Sequence, residues 1–391
     1  SPFHRRQEEQ GAVFFETVGW ERPQWFAANE RLLDGHRGPD RRGWAARQWS
    51  PSQGAEHCAT RQTAALFDLT PFTKVEVAGP EALAFLQHLC ANQIDQPVGR
   101  VIYTAMLNAR GGITCDLTVT RLGATRFLIL TGGAMGTRDL AWIRGHAPHD
   151  GTVHLTDVTS MYCGLGLWGP NARAILGAVC DDVLSNDAFP YFTARTLTIG
   201  TTPALALRVS YVGELGWEIY TPTEYGLRLW DTLWEAGSPR GLIALGVGAF
   251  DSLRLEKGYR LWGADIHAEH DPFEAGLGFA VKLGKGEFLG REALLSLKQR
   301  GPTKKLCCLR LAEAGIVVMG KEPILDGERV LGYVTSANYG YTVGSGIAYG
   351  YLPLSHASVG TKVAVEYFGC RYDATVSEEP LYDPKGLRLK G

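Results

Sequence analysis

No run in this 391-residue chain approaches the roughly 18 apolar residues a membrane-spanning helix needs, so no transmembrane segment is expected. The opening SPFHRRQEEQ has no apolar stretch and does not read as a secretory signal. The eight cysteines (Cys58, Cys90, Cys115, Cys163, Cys180, Cys307, Cys308 and Cys370) include no CxxC pair. Disulfide frameworks and structural zinc therefore lack a supporting spacing, and free buried thiols in a reducing, cytoplasmic setting are the expectation. No sign of charge dominates: 39 Lys and Arg against 41 Asp and Glu leave -2, which gives no general pull toward nucleic acid or anionic membrane. A GxxxxGK[ST] phosphate loop, a GxSxG elbow and a His pair at i, i+4 beside a Glu are all missing. There is no internal repeat of about 20–50 residues and no low-complexity tract.

What is present is ordinary for a folded protein, 45% hydrophobic and 20% charged residues with a generous 48 glycines. The length exceeds one hydrophobic core, so two or three domains are expected. Residues 1–55 form an N-terminal extension, within which RGPDRRGWAARQW (37–49) reads as a strap whose tryptophans lie on the body while its arginines stay wet. From 74 the pattern sharpens. KVEVAG (74–79), RVIYTAMLN (100–108), ITCDLTVTRL (113–122) and RFLILTGG (126–133) read as strands, and a helix begins at Pro80 with Leu83, Leu86, Leu89 and Cys90 on one stripe. A second unit has strands near 161–168, 204–212 and 217–222. Its helix carries a stripe of Leu227, Trp230, Leu233 and Trp234 ending at Gly237. Another helix covers 247–257, and 305–376 is all short strands with a hairpin at Asp326-Gly327. The order is mixed α+β, then α+β, then an all-β stretch whose antiparallel pairing suits a small barrel or sandwich.

Two literal motif matches lose to plainer readings. GLGLWG (164–169) fits GxGxxG, but Asp181 and Asp182 close a helix instead of ending a strand, and Leu165 and Leu167 continue an apolar strand through the glycines. HAEH (267–270) is an i, i+3 pair flanked by Asp265, Glu269 and Asp271, and a surface loop is the expected reading over a metal site.

Two carboxylates stand out. In GGITCDLTVTR (111–121), Ile113, Cys115, Leu117 and Val119 alternate with Thr114, Asp116, Thr118 and Thr120, so period two puts Asp116 on the polar face. Periodicity leaves open whether that face meets water or a reacting group. In SYVGELGWEIY (210–220), Glu218 follows a glycine turn and lies between Trp217 and Ile219. It is either exposed or buried against a partner, because an unpaired buried charge costs several kcal/mol.

These stretches resemble the folate-dependent aminomethyltransferase family, that of the glycine-cleavage T-protein, and look closest to the C-terminal folate module of dimethylglycine and sarcosine dehydrogenases and oxidases. The resemblance rests on YTAMLNARGGITCDLTV, SYVGELGWEIY, SLRLEKGYRLWGADI with DPFEAGLGFAVKL, and PLYDPKGLRLKG, in that order. It implies an α+β fold of three domains around a central opening, a first α+β domain over 56–160 with 245–290, a second over 161–244 and a C-terminal antiparallel β-barrel over 291–391, with tetrahydrofolate as cofactor. Asp116 then matches the acid near the folate nitrogens, Glu218 the carboxylate that grips the pterin, and Tyr103 and Tyr211 contacts along the folate. Cys115 stands where the family has a first acid, Phe250 where T-proteins have an arginine, and Thr131 where an asparagine is found. The implied activity is one-carbon transfer from a methylated amine, or its iminium or formaldehyde equivalent, to give methylene-tetrahydrofolate. Direct demethylation giving 5-methyltetrahydrofolate and a non-catalytic regulatory subunit are the alternatives. The resemblance also implies a methylated amine as small-molecule partner and a flavin-containing module beside this one.

Overall fold

The computed structural model describes residues 1–34, 38–313 and 315–391, so Arg37 at the head of the expected strap lies outside the described residues. Two sheets and a barrel organise the chain. The first sheet is antiparallel, in the order Val101–Leu107, Ile113–Arg121, Arg126–Thr131, Thr73–Ala78 and His154–Asp157. The second runs Ala194–Ile199, Thr202–Leu207, Gly216–Pro222, Tyr162–Trp168, Ala64–Asp68 and Leu242–Ala244, with only the last pair parallel. Six antiparallel strands from Lys304–Leu311 to Cys370–Ser377 close into the expected barrel. No helix among the described residues is long and apolar enough to cross a membrane.

The alternation read from the sequence decides how the first sheet is covered. Cys115, Leu117 and Val119 are buried with Val75, Val77, Phe127 and Ile129, beneath Leu86 and Leu89 of helix Ala82–Leu89 and Leu140 and Ile143 of helix Gly136–His146. The opposite face looks at the second sheet. Leu128 and Leu130 on that face share one core cluster with Phe67, Leu207 and Tyr220 of the second sheet. Thr118 stands directly opposite both Leu130 and Tyr103, and residues directly opposite in an antiparallel ladder share a face. The Thr114–Asp116–Thr118 side is therefore the inner wall between two sheets.

Our proposal for the folding units divides the chain at 160 and 244, and hydrogen bonding crosses that division. Strand Ala64–Asp68 sits between Tyr162–Trp168 and Leu242–Ala244 in the second sheet. The N-terminal extension is also stitched into the body. Phe3 is buried against Trp230, and Glu56 accepts from the Phe26 N–H (2.7 Å), the Gly246 N–H (2.9 Å) and Asn29 Nδ2 (3.0 Å).

Several local expectations need correction. In the strap, Trp44 is 55% exposed, whereas Arg41 reaches Asn338 at 2.6 Å and Trp49 donates to the Tyr341 hydroxyl at 3.3 Å. One tryptophan is therefore wet and one arginine is engaged. In helix Gly226–Gly237 the buried large side chains are Leu229, Trp230 and Leu233, while Trp234 is half-buried and Leu227 is exposed. The expected strand over 204–212 ends at Leu207, where the chain leaves the ladder to form the glycine turn. His270 is buried, not on the surface, with its ring stacked on Tyr351 at 4.1 Å. No cluster of three or more His, Cys, Asp or Glu among the described residues could hold a metal. The glycines of GLGLWG are used for close packing. A Cβ on Gly164 would meet the Tyr220 ring at 2.7 Å, and one on Gly166 the Trp168 ring at 2.2 Å.

Candidate functional site

The turn ahead of strand Ile113–Arg121 sets where Asp116 stands. Asn108 Oδ1 accepts the N–H groups of Arg110 (2.9 Å) and Gly112 (3.0 Å), and Gly111 adopts a left-handed φ of 83°. A Cβ on Gly112 would fall 1.9 Å from the Ala268 carbonyl oxygen, so that position tolerates no side chain. Four residues on, Asp116 Oδ2 accepts the Tyr103 hydroxyl at 3.0 Å. Asp116 keeps a partly accessible surface, yet its surroundings strip away enough water to push the carboxyl up to about 6. The Tyr103 hydroxyl opposes that rise. Burial raises the Tyr103 and Tyr211 phenols, and the Asp116 carboxylate adds to both, so the three groups share one electrostatic neighbourhood.

Glu218 belongs to strand Gly216–Pro222, directly opposite Leu207, and lies on the same inner face as Tyr220. It is 8% exposed and accepts the Tyr220 hydroxyl at 2.7 Å. Burial pushes it up to about 7, and no cation contributes. A cavity of about 250 Å³ opens beside Tyr220, with Lys74, Leu128, Val158 and Leu205 among its walls.

The turn between the two sequence landmarks is held locally. Ser210 Oγ accepts the N–H groups of Val212 (3.3 Å) and Gly213 (3.1 Å), and Gly213 has φ 82° over the Lys257 side chain. Tyr211 donates to the Arg260 carbonyl at 2.5 Å and stacks on Phe250 (5.4 Å) and Tyr259 (5.6 Å). Phe250 in turn lies flat on Phe67, ring centres 4.1 Å apart and planes within 3°. Where T-proteins are expected to carry an arginine, this chain has the middle member of an aromatic stack.

The structure thus brings together Tyr103 and Asp116 directly. It places Tyr211 in their electrostatic reach and Glu218 on the facing sheet. Four further groups were not singled out from the sequence. Tyr191 is pushed up to about 12 by burial, with Glu218 adding to the rise and Tyr259 opposing it, so Tyr191 stands within electrostatic reach of Glu218. Tyr259 was within reach of the sequence, since it sits in the quoted SLRLEKGYRLWGADI. Asp139, from helix Gly136–His146, is buried, accepts Thr131 Oγ1 at 2.5 Å and pairs with Arg138 at 2.9 Å. It also raises Cys115 after burial has done so, and thereby brings an acid close to the position that Cys115 vacates. Arg138 lies 3.7 Å over the Trp262 ring and bonds the Thr114 carbonyl, bracing the start of the strand. No sequence spacing links residue 139 to 115 or 131; only the fold does.

A fit to a reduced pterin follows from the donor set. Two carboxylates with raised affinity for protons face an aromatic-lined interior, and neither is neutralised by a bonded Lys, Arg or His among the described residues. Such groups suit a flat ligand edge rich in N–H donors, because a charge-assisted pair replaces the water each lost.

The GCVT N-terminal domain matches residues 3–285, and the glycine cleavage T-protein C-terminal barrel domain matches residues 304–383. Mitochondrial dimethylglycine dehydrogenase of Homo sapiens is 34% identical over 394 residues, covering 100% of this chain and 45% of that protein. The chain spans about half the length of such curated relatives. An aminomethyltransferase of Symbiobacterium thermophilum is 37% identical over 345 residues, 87% of this chain and 92% of that protein. The crystal structure of glycine cleavage system aminomethyltransferase T from Bartonella henselae superposes with a TM-score of 0.84 at 27% identity, covering 98% of both chains.

Proposed function

The chain belongs to the glycine-cleavage T-protein family of aminomethyltransferases, and on that premise we propose that it transfers a one-carbon unit from a methylated amine, as its iminium or formaldehyde equivalent, to tetrahydrofolate, giving 5,10-methylenetetrahydrofolate. The observation that carries this reading is the pair of burial-shifted carboxylates without a bonded cation among the described residues, Asp116 and Glu218, on the facing walls of two sheets. Tetrahydrofolate supplies the nitrogens that accept the carbon. Glu218 holds the ligand edge: Tyr220 occupies Oε2, and Oε1 stays available to accept from N–H donors. Asp116 acts on protons and charge. With Oδ2 fixed by Tyr103, Oδ1 accepts a proton from the reacting nitrogen, and the carboxylate stabilises the positive charge that builds there. The Phe67–Phe250–Tyr211–Tyr259 stack keeps water out and fixes the ligand plane, so orientation supplies much of the acceleration.

The proposal includes a flavin-containing partner module that oxidises the amine, as the resemblance to dimethylglycine and sarcosine dehydrogenases implies. The test is Asp116→Asn. One-carbon transfer should fall roughly 10²–10⁴-fold while affinity for 5-formyltetrahydrofolate stays within a few fold. Undiminished turnover would remove Asp116 from the mechanism. The mass of the folate product separates methylene from methyl transfer.

A further inference from the structure

Tyr211 and Glu218 stand at the two ends of one short turn, so whatever holds that turn sets the distance between them. The buried Arg61 guanidinium does so from beneath. Its Nη1 donates to the Val212 carbonyl (2.5 Å) and Glu214 Oε1 (3.2 Å), and its Nη2 to the Leu253 carbonyl (3.2 Å) and Glu256 Oε2 (3.1 Å). One planar fork thus ties the turn to helix Val247–Glu256, which carries Phe250.

A segment far away in sequence closes over this fork. The Tyr382 ring lies 3.8 Å from the Arg61 guanidinium, its hydroxyl donates to Glu214 Oε1 at 2.6 Å, and its N–H donates to the Glu256 carbonyl at 3.1 Å. Arg388 donates to the Tyr382 hydroxyl (3.0 Å) and the Arg61 carbonyl (2.8 Å). Lys257, which fills the space under Gly213, donates to the Asp383 carbonyl at 2.8 Å. Glu379 pairs with Arg260, the residue whose carbonyl takes the Tyr211 hydroxyl. Arg208, just past strand Thr202–Leu207 of the second sheet, reaches the Lys390 carbonyl at 2.7 Å. Residues 379–391 leave the barrel, cross the end of the helix and finish on the ligand turn.

We propose that Arg61 and Tyr382 are positioning residues, through which segment 379–391 acts as a clasp fixing the 211–218 turn for ligand binding. Neither touches the reacting atoms; both act through Glu214 and the Val212 carbonyl. The ligand part rests on the folate reading above, and the positioning part does not.

The experiment compares the full chain with its Tyr382→Phe, Arg388→Ala and Arg61→Lys variants. Hydrogen exchange at 211–216 is followed in the ligand-free protein, and 5-formyltetrahydrofolate binding by titration calorimetry. Tyr382→Phe and Arg388→Ala each remove two hydrogen bonds at the edge of the fork and leave its guanidinium in place, so they are expected to fold. Exchange at 211–216 should quicken and Kd should rise, each roughly three- to tenfold. Arg61→Lys keeps the charge but loses the fork, and should move both readouts further. The KM for folate should rise with kcat preserved, since Asp116 is untouched. Unchanged exchange at 211–216 in all three variants overturns the clasp whatever happens to binding. Faster exchange with unchanged folinate affinity also overturns it as a ligand-positioning device, provided Glu218→Gln weakens binding. If the wild-type chain binds no folinate, the folate reading falls, and exchange alone decides the clasp.

Discussion

Replacing Glu218 by glutamine should stabilise the ligand-free protein and weaken its binding, two effects of opposite sign. Burial moves the Glu218 carboxyl from 4.5 to about 7. At about 1.4 kcal/mol per pH unit, that rise represents about 3 kcal/mol of folding free energy withheld when the group ionises. The sign follows from proton counting. Between 4.5 and 7 the folded state binds more protons here than the unfolded state, so this contribution falls as pH rises through that window and is fully lost above it. Glutamine never ionises, keeps the volume, and its Oε1 can accept the Tyr220 hydroxyl in place of Oε2. At pH 8, Glu218→Gln should therefore raise stability by up to about 3 kcal/mol, and at pH 4.5 or below the gain should vanish. Scanning calorimetry at the two pH values reads this directly, and 5-formyltetrahydrofolate titration should show the accompanying loss of affinity. A variant less stable than wild type at pH 8 would refute the reasoning, because it would mean that Glu218 is already paired in the empty protein.

Three further outcomes follow from the same geometry. If Asp116 must be ionised, kcat/KM should climb with pH through about 6, the value to which burial lifts its carboxyl. Tyr103→Phe removes the hydroxyl that opposes that rise, so the acid limb should move to higher pH; a limb that stays in place would disconnect the pair. Gly112→Ala puts a methyl 1.9 Å from the Ala268 carbonyl and should cost about 2–4 kcal/mol, seen as a lower melting temperature. An unaltered melting temperature would show that the turn can shift at no cost.

Local pattern was enough for most of the strands. Period two told the core side of GGITCDLTVTR from its polar side, and the buried set Cys115, Leu117 and Val119 follows that division. It reads well because alternation is a property of one strand and its own two faces. The same logic failed where two elements compete for a surface. Leu227 and Leu229 both suit a helical stripe, and the neighbour that buries one of them is set by the fold. His270 looked like loop and is buried because Tyr351 of the barrel comes to meet it.

The sequence by itself determined the α+β-then-all-β order, the two candidate carboxylates and the family resemblance that links them and implies the closing barrel. Each follows from short-range pattern or from motifs that keep their order along the chain. Only the tertiary structure decided what the polar face of Asp116 looks at, because period two separates inside from outside for a strand but does not say what lies opposite. The opposing sheet arrives from residues about a hundred positions away, and its approach leaves a half-buried face on which lost water raises a carboxylate to about 6. Asp139 near Cys115, Phe250 within its stack and Tyr382 over Arg61 belong to the same class. They are contacts between distant segments, and no spacing along the chain encodes them.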